Sequence, residues 1–163
     1  MDKQQKMIIT ALSALVAILL IVTLVLRLSG GKETVIGDFQ PPEFDKLATL
    51  GTPQVDSSLN YKEISVAEGF KFSMCGNLTR QSDRCIIYFT SAPDNNVWLL
   101  VKIFDQSGNL LGQSGLLRPG EYVEYIALYS NVGANTPVTV KVLSYEPDTY
   151  ISCGSAGANL VLK

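Results

Sequence analysis

Four polar residues crowd the stretch FDQSGNLLGQSGLLRPGEYVEYIAL, residues 104–128: Asp105, Ser107, Asn109 and Glu121. Oxygen atoms at that density could hold a hard cation, and carboxylates could serve acid–base chemistry. The spacing argues for something plainer. A calcium loop of the EF-hand kind needs D-x-D-x-D-G with its oxygens in register, and that density is missing. Asp105-Gln106-Ser107-Gly108-Asn109 reads as a strand end followed by a turn, which Asp caps through its side chain while Gly108 supplies a positive φ. Arg118-Pro119-Gly120-Glu121 reads as a type II turn, with Pro setting φ at the second position and Gly taking the third. Gly112 and Gly115 then belong to a loosened or bulged strand. The cluster is read as scaffold, and no metal site is expected.

Other chemistry is excluded by residue type. Histidine is absent from all 163 residues, which removes Ser-His-Asp and Cys-His catalysis and imidazole ligation. No P-loop or G-x-G-x-x-G occurs, and Gly154-Ser155-Ala156-Gly157 is too short to stand in for one. Glu121 and Glu124 lie an odd number of residues apart, so in one strand they point to opposite faces and could not easily flank a glycosidic bond. No catalytic residue, no cofactor and no enzymatic activity are expected. The three cysteines, Cys75, Cys85 and Cys153, match no zinc pattern. They allow one intrachain disulfide and one spare thiol. A Cys75–Cys85 bond would close a hairpin, a bond from either to Cys153 would staple distant strands, and three unbonded thiols are the remaining arrangement.

The elements that would position any site fall into two parts. From Met7 to Leu26 the chain runs MIITALSALVAILLIVTLVL without a charge, which as a helix gives about 30 Å, enough to cross a bilayer core. This span accounts for the high mean hydropathy of +0.20. The run is longer than a signal-peptide core, Arg27 closes it and no A-x-A follows, so an uncleaved signal anchor is expected. Lys and Arg are nearly balanced across it, but so short an amino tail is easily kept in the cytoplasm, which places the C-terminal portion outside. The expected organisation is a cytoplasmic tail (1–6), a transmembrane signal anchor in the lipid bilayer (7–28), a Pro/Gly-rich tether (29–58) and an extracytoplasmic domain (59–163). That is a single-pass protein of the cell membrane. Within the tether, EFDKLATLG could form a short helix that groups Phe44, Leu47 and Leu50 before Gly51 and docks on the domain. Beyond the span 10 basic and 14 acidic residues remain, net −4. With no basic run interleaved with aromatics, a nucleic-acid partner is not expected.

After residue 59 the pattern changes to short apolar runs broken by turn formers. FKFSM alternates, putting Phe70, Phe72 and Met74 on one face; CIIYFT, VWLLVKIF, EYVEYIAL and VTVKVL are β-branched and aromatic. With one strand near 61–67 and a last near 158–162, these predict an all-β antiparallel sandwich of about seven strands.

The run WLLVKIFDQSGNLLGQSGLLRPGEYV followed by YEPDTY resembles the immunoglobulin-like β-sandwich domain of small single-span surface proteins of Gram-positive, gut-type bacteria. The resemblance covers roughly residues 85–155. It implies an immunoglobulin-like fold and an extracytoplasmic address, and it brings no catalytic residues. The feature most informative for function is strand 97–104. Leu99, Val101 and Ile103 face one way; Trp98, Leu100 and Phe104 face the other, so both faces are apolar apart from Lys102. Either the tether helix or a loop covers the second face, or Trp98, Leu100 and Phe104, with Tyr88 beside them, form an exposed partner surface. The expected role is a protein-interaction or structural subunit of a cell-surface assembly, through a protein partner or self-association. The alternative is a cell-wall or carbohydrate-binding module that stacks sugars on these rings, which would need them exposed and coplanar. A redox role for the odd thiol ranks last.

Overall fold

The computed structural model describes residues 40–163. The expected tail, the span at 7–28 and the first part of the tether lie outside the described residues. Among the described residues the chain is all-β, with ten strands, one 3-10 turn at Ser57–Leu59, and no helix long and apolar enough to cross a membrane. One sheet runs in the order β1 (Thr49–Leu50), β8 (Glu121–Ala127), β5 (Arg84–Ser91), β3 (Lys71–Cys75), β2 (Tyr61–Ser65), with β4 (Thr79–Gln81) paired to the first half of β5. The other runs β10 (Ser152–Leu162), β9 (Thr136–Tyr145), β6 (Trp98–Phe104), β7 (Leu110–Gln113). All the named strand pairs are antiparallel.

The period-two pattern explains which side chains meet. Phe70, Phe72 and Met74 are 1%, 3% and 4% exposed, so the alternation in FKFSM does select the inner face. From the facing sheet come Leu99, Val101 and Ile103 of β6 and Val138, Val140 and Val142 of β9, all in one cluster with Ile87 and Phe89. Two antiparallel sheets therefore share one core, the arrangement of a β-sandwich. Pro137 lies in β9 yet breaks no ladder with β6, because β6 pairs β9 only from Thr139 to Tyr145.

The seven strands expected are all present as β2, β3, β5, β6, β8, β9 and β10. β7, Leu110–Gln113, is the loosened strand expected around Gly112, with a register irregularity against β6, though Gly115 lies beyond it. β1 and β4, two and three residues long, are too short for a periodic signal. β10 begins at Ser152 rather than near 158.

The tether differs most from expectation. The compact unit begins at Pro41, so residues 41–58 belong to the fold and the domain boundary moves from 59 to 41. No short helix forms in EFDKLATLG. Phe44 instead makes a parallel bridge with Leu116, and β1 pairs with β8 through Thr49–Tyr122 and Leu50–Glu121. A nine-residue helix is marginal on its own, whereas the neighbouring sheet edge offers backbone partners without a nucleation cost. The segment is a strap laid along the domain.

Candidate functional site

The strap closes the outer face of β6, where the apolar candidates lie. The Leu116 N–H donates to the Glu43 carbonyl at 2.8 Å, and the Asp45 N–H donates to the Leu116 carbonyl at 2.9 Å. The Asp45 carboxylate accepts the Gly115 N–H at 2.7 Å. Gly115 is needed for this approach, since a Cβ there would lie 2.5 Å from the Asp45 Cα and N. At the far end the Gly51 N–H donates to the Gly120 carbonyl at 2.9 Å.

These bonds seat Phe44 in an aromatic cluster. Its ring meets Trp98 edge to face, with centroids 4.7 Å apart and planes at 76°. Trp98 in turn meets Tyr150 at 5.3 Å and 61°. The Arg118 guanidinium carbon stands 3.6 Å from the Phe44 ring centroid, a cation–π contact, and is itself held by Glu121 at 3.3 Å. Tyr150 comes from the β9–β10 hairpin with φ +57°, a backbone conformation that bulky residues avoid. The hairpin enforces it: the Tyr150 N–H donates to the Glu146 carbonyl at 3.1 Å, and Glu146 N–H to the Ile151 carbonyl at 2.8 Å.

The four candidate face residues thus separate. Leu100 is buried at 1% exposed, and Trp98 is half-buried beneath Phe44 and Tyr150. Phe104 is half-buried at the end of β6, opposite Thr139. Tyr88 belongs to the other sheet, at an irregularity in the β5–β8 register where its φ is +48°, so it does not join Trp98. The signal for the cover was present in Phe44 and in the YEPDTY turn. The parts played by Leu116 and Arg118 were not legible, because they depend on where the loop after β7 crosses.

Beside the cluster is an open groove of about 470 Å³, lined by Pro42, Leu47, Gln113 and Tyr129 among others. Leu47 and Tyr129 are 59% and 61% exposed there, and Leu50 at the end of the strap is 79% exposed.

The polar residues of the opening stretch resolve into two separate turns. Asp105 accepts from the Asn109 backbone N–H and side-chain amide, each at 2.8 Å. The Asn109 amide, then the backbone N–H groups around it, hold the Asp105 carboxyl below its ordinary value. Glu121 accepts the Arg118 N–H at 2.7 Å. Gly108 and Gly120 take φ +83° and +79°, as the two turns require.

The three cysteines stand as free thiols. Cys75 and Cys85 are both 0% exposed in the core, and Cys153 is exposed on β10. Burial pushes the Cys75 thiol up to about 11 from an ordinary 9.0. Burial, and then the nearness of Cys75, pushes Cys85 up to about 12. Both shifts favour the protonated thiol in the folded chain. The stability they contribute is complete below the unfolded value of 9.0 and is lost as pH rises through the folded values of about 11 and 12. A maleimide should therefore label Cys153 alone in the native protein and all three thiols after unfolding. Urea unfolding should show stability falling between pH 9 and 11, and falling less steeply in a Cys75→Ala/Cys85→Ala variant. Native labelling of three thiols, or equal pH slopes, would contradict this account.

The described residues thus define an all-β, two-sheet protein whose outer aromatic cluster is closed by its own strap. Compared with protein-family models, with curated proteins and with solved structures, the chain matches none.

Proposed function

We propose that this chain is a bitopic membrane protein in which residues 7–28 form a single signal-anchor span and residues 1–6 a cytoplasmic tail. The two-sheet unit is an immunoglobulin-like sandwich displayed outside the membrane. Its role is that of a non-enzymatic interaction or structural subunit in a cell-surface assembly. The observation that carries this reading is the strap. It uses Phe44 to close the face of β6. It turns Leu47, 59% exposed, outward into the groove with Tyr129, and Leu50, 79% exposed, outward at its far end near Pro93 and Gly120. Apolar side chains on a backbone already held by hydrogen bonds lose less freedom on meeting a partner than they would on a free linker. The strap also shortens the segment available as a linker from 29–58 to 29–40.

The ring geometry weighs against the glycan-binding alternative. A platform for sugar rings is flat and exposed, whereas Trp98 meets its neighbours at 76° and 61° and spends its surface on them. The test is extraction of the full-length protein from native membranes in mild detergent, with its particle mass and companions determined. A defined assembly, of this chain alone or with others, is the expected outcome. A clean monomer without companions overturns the reading.

A further inference from the structure

Four sheet edges can be compared for how they are guarded. β1 is two residues long and belongs to the strap. The edge at β7 continues into residues 114–117, which bond to β6 and carry the strap. β2 carries Lys62 and Glu63, the kind of charge that discourages strand pairing. β10 has none of these protections. It is eleven residues long, SCGSAGANLVL, with no charge and no proline. It pairs with β9 from Ser152 to Leu162, with one irregularity at Cys153 and an unbroken register from Gly154 on. On its other side only the last residues are occupied: Leu162 bridges Leu78, and Lys163 exchanges hydrogen bonds with Leu78 and Arg80. Among the described residues, no backbone pairs with the outer edge from Ser155 to Val161.

We infer that this edge pairs with the β10 of a second copy, antiparallel about a two-fold axis near Gly157, which joins two four-stranded sheets into one of eight. Three observations select a second copy over another occupant. A strand that meets itself must tolerate like against like, and β10 has no charge that would face its own kind. Its outward side chains around Gly157 are small, Ser155, Gly157 and Asn159, so two edges can approach there without bulk between them; Val161, 42% exposed, stands on the same face at the end of the edge. The ends are complementary. The Lys163 backbone is held at the C-terminal end, leaving its exposed side chain free to reach, and the Glu68 side chain lies over Gly154 at the N-terminal end, 2.8 Å from where a Cβ would stand. Antiparallel pairing about Gly157 brings each Lys163 towards the end of the partner strand where its Glu68 sits. Opposite charges at both ends then set register and direction. This inference rests on the subunit reading for its setting, and it names the partner as the chain itself.

The test places single cysteines at Ser155, Gly157 and Asn159 of the full-length protein, each with Cys153→Ser, in native membranes treated with a short bismaleimide. Gly157 accepts a side chain readily, since the nearest atom to an added Cβ is the Val140 carbonyl oxygen at 3.7 Å. The dimer band should be strongest for Gly157→Cys, several-fold above the positions on either side. Glu68→Lys should reduce it several-fold, and Glu68→Lys with Lys163→Glu should restore it. Three equally weak bands overturn the inference, as does a position-157 thiol that captures a chain of different mass. The particle mass in detergent separates the two failures. An assembly without the 157 cross-link removes the β10 pairing and leaves the subunit reading, whereas a monomer without it removes both.

Discussion

Replacement of Phe44 by alanine is expected to shift the emission of the protein's one tryptophan to the red and to lower stability by about 2–3 kcal/mol. Trp98 is the only tryptophan in the chain, so the signal has no other source. Its ring is shielded edge-on by Phe44 at 4.7 Å and by Tyr150 at 5.3 Å. Removing Phe44 takes away one shield and the platform for Arg118, and water reaches the indole. Phe44 is half-buried, so the cost falls below that of a phenylalanine lost from a sealed core. The loss of its edge-to-face and cation–π contacts adds to the area term. For a unit of this size the melting temperature should fall by roughly 10 °C. Leu47→Ala is the control: three residues along the same strap but 59% exposed, it should change stability by no more than about 0.5 kcal/mol. Unchanged emission and acrylamide quenching in Phe44→Ala would mean that the ring does not hold the strap.

The contrast between Phe44 and Leu47 also shows why the strap was misread in the sequence. Phe44, Leu47 and Leu50 recur at three-residue intervals, a spacing that places them on one helical face. In the structure Phe44 packs and the two leucines point outward, because the partner is a sheet edge and not a groove between helices. Local pattern cannot report a sheet edge supplied seventy residues later by Leu116 and Gly115. The same limit explains β10. Its first half, SCGSAGA, is built of residues too small to show alternation, and it is a strand because β9 pairs with it from end to end.

Where a residue's own chemistry decides its conformation, the sequence carries the structure on its face. The two turns at Gly108 and Gly120 are legible because only a positive φ closes them. The inner faces of β3 and β6 are legible because alternating bulk has only one place to go. The face of Trp98 falls between these cases. Two apolar sides on one strand imply that something covers the second, but the covering residues come from the strap and from a hairpin tyrosine at positive φ. Tyr88 carries a positive φ as well and sits in the opposite sheet, which nothing in its immediate neighbours announces.

Gly115→Ala is expected to be the more severe strap variant, costing about 3 kcal/mol, because it adds volume where no side chain can yield. The new Cβ would stand 2.5 Å from the Asp45 backbone and 2.8 Å from the Phe44 carbonyl carbon. Either the strap lifts or the loop after β7 withdraws. Both movements break the Gly115–Asp45 bond and the two bonds to Leu116, and both unseat Phe44. Phe44→Ala, in contrast, removes one ring and leaves the backbone bonds in place. If the strap docks as a unit, the Phe44→Ala/Gly115→Ala double variant should be little worse than Gly115→Ala alone, since the ring has already lost its seat. Its tryptophan emission should match that of the glycine variant. Full additivity in a urea-unfolding cycle would show instead that Phe44 packs on Trp98 independently of the backbone bonds. The strap would then be two separate contacts rather than one element.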